Sequence, residues 1–394
     1  MMANERWLLP EGIEEVLPEQ AWRLELLRRR LLDLFSTWGY ELVMPPFIEY
    51  LESLFVGTGN ALELQTFKLT DQLTGRMMGV RADMTPQVAR IDAHLIKRET
   101  PTRLAYIGTV LRTRPQEHGG SRSPLQVGAE LYGHAGIESD VEVICLMMVT
   151  LRSAGLNGLH LDLGHVGIFR GLAKQAGLTP TQEAELFDAL QRKSHPDIAS
   201  LLSGLKLERS VHNMLLQLAD CHGSEEELGQ IRSLLAAASN EVLSALDKLI
   251  AITAAVRRAL PYVPLHFDLA ELRGYHYHTG VVFAVYTPES GQALAQGGRY
   301  DAIGQVFGRP RPATGFSTDL KTLLSLSSAT LPEIRGIFAP CADDQLLARQ
   351  IDELRVQGER VICALPGQQG DARAMGCDRQ LLWQEGCWQV STLD

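Results

Sequence analysis

The stretch from Arg103 to Gly133, RLAYIGTVLRTRPQEHGGSRSPLQVGAELYG, constrains the fold more than any other part of the chain. Tyr106 to Leu111 is mostly apolar and β-branched, and Gln126 to Tyr132 tends toward alternation. Between them lies a run of Arg, Pro, Gly, Ser and His too polar for a core. That order predicts strand, polar loop, strand. Arg112, Arg114 and Arg122 bracket the loop, and Gln126 and Glu130 lie four apart on the return strand. A side-chain period of two puts this amide and carboxylate on one face. The hairpin is therefore either a surface element with solvated arginines or the base of a site for a small zwitterionic or phosphorylated ligand.

The rest of the chain narrows the class. At 394 residues there is room for two or three domains and a well-buried core. A net charge of -10 argues against a general nucleic-acid footprint and leaves room only for a local basic patch, and tRNA is not among the partners expected. The first residues, MMANERWLLPEG, have no apolar signal core, and the longest apolar run, Val143 to Val149, is too short to cross a bilayer. No membrane association and a cytoplasmic location are expected. The six cysteines show no CxxC spacing and four follow residue 340, which favours buried free thiols over a zinc site or a disulfide framework. GxSxG, HExxH and GxxxxGK[ST] are absent, and the histidines of YHYH have no evident third ligand. Neither a metal nor a cofactor is expected.

Taken in order, Glu19 to Trp38 has apolar residues at helical spacing, with Pro18 and Gly39 as boundaries. Tyr40 to Met44 reads as a strand stopped by Pro45 and Pro46. Phe67 to Asp83 reads as a second hairpin, followed by a helix from Met84 to Arg98. Asp83 and Thr85 thus sit where strand meets helix, placed either to cap that helix or to hold a ligand ammonium. Ile137 to Ala154 is an apolar helix, and Leu159 to Leu163 a short strand. About residues 169–256 the texture is helical with almost no strand signal, an all-α insertion. Strands return at Leu265 to Leu269 and Gly280 to Tyr286, around the polar segment ELRGYHYHTG. GGRYDAIGQVFGRPRPATGFSTDL follows as a glycine-punctuated stretch, then a helix from Thr318. Beyond residue 333, Arg335 to Ala339 and Arg360 to Leu365 flank a helix from Asp343 to Gln357, a parallel βαβ pattern.

The order of motifs over residues 8–325 resembles histidyl-tRNA synthetase and its paralogues. LPEG with the long helix and WGYELVMPPFIEY look like motif 1, and Arg103 to Gly133 looks like motif 2. RADMT, LRGYHYHTGVVF and GGRYD with ATGF resemble the amino-acid-binding segment, the histidine signature and the approach to motif 3. Five matches in order are more specific than any one. The resemblance implies an α+β, class II aminoacyl-tRNA synthetase-like fold: an antiparallel sheet flanked by helices, with an all-α insertion and a small C-terminal α/β domain. The expected domains are a core at 1–325, holding the insertion, and a C-terminal domain at 333–394, shortened relative to an anticodon-binding domain. By the same resemblance Asp83 and Thr85 meet an α-amino group, and Arg112, Gln126, Glu130, Arg273 and Tyr277 complete a histidine pocket. His278 stands where the signature has its second tyrosine.

Two departures from the family pattern touch the nucleotide side. Leu111-Arg112-Thr113-Arg114 lacks the glutamate that follows the motif 2 arginine, and Asp319-Leu320-Lys321-Thr322 ends motif 3 in threonine instead of arginine. Losing one such preorganised contact to a triphosphate costs roughly 2–4 kcal/mol. A kept amino-acid site beside a lost ATP site resembles the regulatory-subunit branch of the family. That branch implies no catalysis by this chain, a short-form ATP phosphoribosyltransferase catalytic subunit as partner, L-histidine as effector, and self-dimerisation through the motif 1-like element. An active histidyl-tRNA synthetase and a histidine-binding scaffold with another partner are the competing readings.

Overall fold

The computed structural model describes residues 7–55, 59–115, 120–271, 274–275, 277–329 and 335–393. The chain divides into two compact units, Met1–Ala329 and Thr330–Asp394. In the first, the strands are β1 (Glu41–Leu42), β2 (Ile48–Tyr50), β3 (Lys68–Thr70), β4 (Met77–Val80), β5 (Thr102–Thr109) and β6 (Leu125–Tyr132). They continue with β7 (His160–His165), β8 (His222–Gly223), β9 (Leu265–Asp268), β10 (Val281–Thr287), β11 (Ser290–Arg299) and β12 (Ala313–Asp319). Nine form one sheet in the order β1-β5-β6-β12-β11-β10-β7-β9-β8. Its pairings are antiparallel except β1 with β5 and β7 with β9. β2, β4 and β3 make a small antiparallel sheet.

The helix Pro18–Thr37 starts with proline in its first turn and buries Leu27, Leu31 and Phe35 on one face. Gly39, at φ +78°, then turns the chain into β1. The expected strand at Tyr40 to Met44 shrinks to two residues, because the prolines that follow end its pairing. Ile137–Ser153 is apolar nearly all round, burying Val143, Ile144, Leu146, Met147, Met148 and Leu151. It is sandwiched between the sheet and the helix Asn240–Ala259. The insertion runs through helices from Val166–Gln175 to Asn240–Ala259 and includes the two-residue strand β8 at the sheet edge. Its helix starts are set locally, as where Thr179 and Gln182 close a capping box.

Two strands escape the pattern reading. The pattern assigns no strand to β11 or β12, only a glycine-punctuated stretch from Gly297 and a helix from Thr318, yet both lie in the middle of the sheet, and the helix Leu320–Leu326 starts two residues later. Their glycines are what closes the sheet here. A Cβ on Gly297 would stand 2.1 Å from the Gly315 carbonyl oxygen, and one on Gly315 would stand 1.5 Å from Glu130 Oε2. The helix expected from Met84 to Arg98 is α-helical only over Thr85–Ile91, then widens to a π-turn at Asp92–Ile96. That turn carries buried Asp92, whose carboxylate accepts from Arg311 Nη1 at 2.8 and 3.0 Å.

The arginine of GGRYD also proves to be a framework residue. Arg299 Nε donates to both oxygens of buried Asp140 at 3.1 Å, and its Nη atoms reach the carbonyls of His134 and Gly136 and Ser139 Oγ. The pair fixes the start of Ile137–Ser153 to the end of β11.

The second unit holds β13 (Ile337–Ala339), the helix Gln345–Val356, β14 (Val361–Cys363), β15 (Arg379–Gln384) and β16 (Cys387–Thr392). β13 and β14 are parallel, as the βαβ pattern predicts. The hairpin β15–β16 has no counterpart in that reading. Glu385 and Gly386, at φ +51° and +83°, form its two-residue turn, and Trp383 packs against Trp388 across it. All six cysteines are free, as expected, but only Cys221 and Cys377 are buried, while Cys341 and Cys387 are exposed. Among the described residues no helix is long and apolar enough to cross a membrane, and no group of His, Cys, Asp and Glu could hold a metal ion.

Candidate functional site

A cavity of about 160 Å³ opens on one face of the large sheet, between β6, β12, β11 and β10 and the start of the helix Thr85–Ile91. Glu130 lies at its base on β6, 1% exposed, opposite Gly315 of β12. Its carboxylate is ringed by hydroxyls. Thr85 Oγ1 donates to Oε1 at 3.0 Å, Tyr106 donates to the same oxygen at 2.9 Å, and Tyr300 donates to Oε2. Burial pushes the Glu130 carboxyl up to about 8, against the lowering effect of these donors, and the nearby Asp83 charge adds to the rise. A carboxyl perturbed this far at the base of a cleft is a candidate functional group.

Asp83 stands on the rim. Its Oδ1 accepts from the Thr85 amide at 3.0 Å and from Gln126 Nε2 at 2.9 Å, and Gln126 Oε1 accepts from the Met84 amide at 2.9 Å. Asp83 Oδ1 thus holds the first helical amide from one residue before the N-cap Met84, and its Oδ2 makes no hydrogen bond among the described residues. Gln126 uses both ends of its amide to fix Asp83 and Met84. It is a support, beside the cavity and not lining it.

Tyr277 completes the wall. Its ring stacks on Tyr300 with centroids 4.9 Å apart, and its buried hydroxyl finds no hydrogen-bond partner among the described residues. Asp162, Asp268 and Glu271 line the far side, so five carboxylates surround the space and no lysine or arginine does among the described lining residues. The arrangement suits a small ligand with ammonium or ring N–H donors.

The structure therefore brings Asp83, Thr85, Glu130 and Tyr277 together and sets Arg112 and Gln126 apart. Arg273, and His276 of the same segment, lie outside the described residues. Arg112 Nε donates to the Ala82 carbonyl at 3.3 Å, and the residue lines a second, polar pocket with Gln126, Asp319 and Thr322. Arg122 is structural. It donates to the carbonyls of Arg112 and Glu11 at 3.1 and 3.0 Å and lies over Phe67. Of the arginines that bracket the loop, Arg112 and Arg122 thus hold neighbouring backbone.

Asp319 and Thr322 are also accounted for locally. Asp319 caps Leu320–Leu326, accepting from the Lys321 amide at 3.2 Å and from Thr322 Oγ1 at 2.9 Å, and its Oδ1 also accepts from the Leu125 amide at 2.9 Å. The position where the family pattern has a cation instead closes a helix end.

Tyr106 and Tyr300, the hydroxyls nearest Glu130, were not singled out from the sequence as site residues. Gly128 was the available signal for the first, because a Cβ there would meet Tyr106 Oη at 2.4 Å.

Comparison with known proteins places both units of the chain in a family. The histidyl-tRNA synthetase family matches residues 12–323, and the ATP phosphoribosyltransferase subunit HisZ C-terminal domain matches residues 334–391. The ATP phosphoribosyltransferase regulatory subunit of Thioalkalivibrio sulfidiphilus is 63% identical over 382 residues, 97% of each chain. That of Alkalilimnicola ehrlichii is 57% identical over 385 residues, 97% of this chain and 96% of the other. Among solved structures, the ATP phosphoribosyltransferase regulatory subunit/histidyl-tRNA synthetase of Bacillus halodurans superposes with a TM-score of 0.83 at 28% identity, covering 95% of this chain and 97% of that one. Histidyl-tRNA synthetase from Nostoc sp. PCC 7120 shares the fold, with a TM-score of 0.77 at 18% identity over 95% and 91% of the two chains. With a synthetase-like core, this C-terminal domain and relatives of such identity along its whole length, the chain belongs to the ATP phosphoribosyltransferase regulatory subunit family.

Proposed function

We propose that this chain is a non-catalytic regulatory subunit that supports a short-form ATP phosphoribosyltransferase in the first step of histidine biosynthesis and binds L-histidine in the Glu130 cavity. The observation that carries the reading is the asymmetry of the two pockets. The amino-acid side keeps a buried acid, a rim acid and an orphaned tyrosine hydroxyl. The nucleotide side has its motif 3 position closed by the Asp319–Thr322 cap. In this reading Asp83 and Thr85 receive the α-amino group, Glu130 and Tyr277 the imidazole, and Arg273 the carboxylate, with Arg112 and Gln126 framing the rim. The ligand does no chemistry here. Its differential affinity for two states of the complex biases them, and a coupling of roughly 1–3 kcal/mol gives 5–150-fold control.

Calorimetry on the full chain is expected to show one histidine per chain. The short-form enzyme assayed alone, with this chain, and with this chain plus histidine is expected to be slow, fast and inhibited in turn. No binding, or no dependence on the chain, overturns the reading. Histidine-dependent pyrophosphate exchange into ATP at synthetase rates would establish the competing one, and is expected to be absent.

The same reading has the protein act in the cytoplasm, without tRNA, as a self-dimer through the motif 1-like element. Support for the dimer comes from Leu42, Met44, Phe47 and Ile48, all exposed apolar residues between and around β1 and β2. Met44 is 76% exposed, so Met44→Asp is expected to leave the fold intact and shift sedimentation from dimer to monomer. A mass unchanged by the substitution places the interface elsewhere.

A further inference from the structure

One wall of the cavity, with Asp268, Glu271, Gly274, Tyr277 and His278 among its described residues, is held from behind by the helical insertion. Lys193 Nζ lies 2.6 Å from Asp268 Oδ2, and Gln191 Nε2 donates to the Ala270 carbonyl at 2.6 Å. Arg170 Nη2 donates to the carbonyls of Tyr275 at 2.9 Å and His278 at 3.2 Å, bracketing Tyr277. The Tyr275 ring packs against Phe169 and Phe187, with centroids 5.4 and 5.1 Å away, beneath the Arg170 guanidinium. Its hydroxyl donates to Glu183. Glu271, Gly274, Tyr277 and His278 line the cavity, whereas Arg170, Tyr275, Glu183 and Gln191 do not.

The turn that presents Tyr277 is short and tightly determined. The amides of Tyr277 and His278 both donate to the Gly274 carbonyl at 2.8 Å, and Gly274 itself is at φ +65°. Arg170 joins the two ends of that turn to Val166–Gln175, and Tyr275 joins its start to Pro180–Gln191. The Tyr277 ring stacks on Tyr300 of the core, and the turn that carries it is tied through Arg170 and Tyr275 to the insertion, so a ligand that moves Tyr277 acts on contacts in the insertion as well as in the core.

We propose that Arg170, Tyr275 and Glu183 are positioning residues of the amino-acid site, which set its affinity without touching the ligand and through which the helical insertion registers whether the site is filled. This rests on the cavity being a histidine site. Coupling of this kind is reciprocal: what the insertion contributes to affinity, the ligand returns as stabilisation of the insertion.

The test uses the full chain with Tyr275→Phe and Glu183→Gln, singly and together. Neither leaves a buried unpaired charge, because Glu183 is only half-buried and Phe keeps the ring packing. Histidine affinity is expected to fall about tenfold in each single variant, within the usual range for coupled sites, and by no more than that in the pair. Unfolding midpoints should stay near the parent's. In the parent protein, histidine should slow amide exchange across Pro180–Gln191, and in Tyr275→Phe it should not. This second readout is one that mere packing would not move. Normal affinity in both variants, or unchanged exchange in a parent that binds histidine, overturns the inference and leaves the site intact. A parent that binds no histidine overturns the site reading, and the inference with it.

Discussion

Glutamine in place of Glu130 is expected to make the ligand-free protein more stable at neutral pH and to deprive it of histidine. The carboxyl sits at about 8 in the folded chain, against 4.5 for an unperturbed glutamate. Above the lower value the unfolded chain releases its proton while the folded chain still holds it. Folding stability therefore declines as pH rises from about 4.5 to about 8, at up to roughly 1.4 kcal/mol per unit, and is flat beyond. Glutamine has no proton to lose, so the variant's advantage grows across that window and reaches on the order of 3 kcal/mol at pH 7. Ligand binding reverses the preference, since an ammonium or N–H donor over Glu130 favours the ionised form. Loss of that charged partner should weaken histidine by roughly 10- to 100-fold, corresponding to about 1.5–3 kcal/mol for a hydrogen bond to a charge. In the parent, affinity should rise as pH climbs from 6.5 toward 8. Urea titrations across pH and calorimetry check both halves. A variant less stable than its parent at pH 7, or one that binds histidine normally, contradicts the charge assignment.

Asp140→Ala is expected to act in the other direction and by as much. It leaves the Arg299 guanidinium among the His134 and Gly136 carbonyls with its main counter-charge gone, at 9% exposure of the side chain. Removing one partner of a buried pair typically destabilises by about 3–5 kcal/mol, because the other charge stays buried. Asp301, also paired with Arg299 at 3.2 Å but much more exposed, softens the loss without replacing a bidentate carboxylate. The measurement is a urea midpoint at constant slope, with Asp140→Asn expected to fall between parent and alanine variant. A loss below 1 kcal/mol would show that the insertion side of the sheet holds its register without the pair.

How much of this was legible in the sequence depends on what each residue faces. Pro18–Thr37 announces itself because a buried stripe imposes its own period, and Ile137–Ser153 because its apolar run is too long for a strand. Gln126 and Glu130 could be placed on one face of β6 from spacing alone. β11 and β12 could not be found that way, because QALAQGGR and ATGFSTD pack small residues against neighbouring strands and so lose the β-branched alternation. The π-turn at Asp92–Ile96 is likewise silent, since its buried acid answers an arginine more than two hundred residues away. Among the site residues, chain-local reading separates neither Gln126 from Glu130 nor Arg112 from Arg122. All four are polar and near the same hairpin, and only the folded contacts show that Glu130 faces a cavity while the others hold neighbouring backbone or side chains.

The cap at Asp319 bears on whether such a protein could ever return to nucleotide chemistry. An N-cap of this type is worth about 0.5–2 kcal/mol to its helix. Exchanging Asp319 for glycine, the residue that the family pattern has there, costs only a few tenths of a kcal/mol, about a tenth to a half of that, but Thr322 still offers a phosphate nothing. Exchanging Thr322 for arginine first sets a guanidinium beside Asp319, where the carboxylate holds it. Neither single step back is rewarded, because a phosphate would gain a partner only when both positions change together, and until then the helix end is used by its own cap.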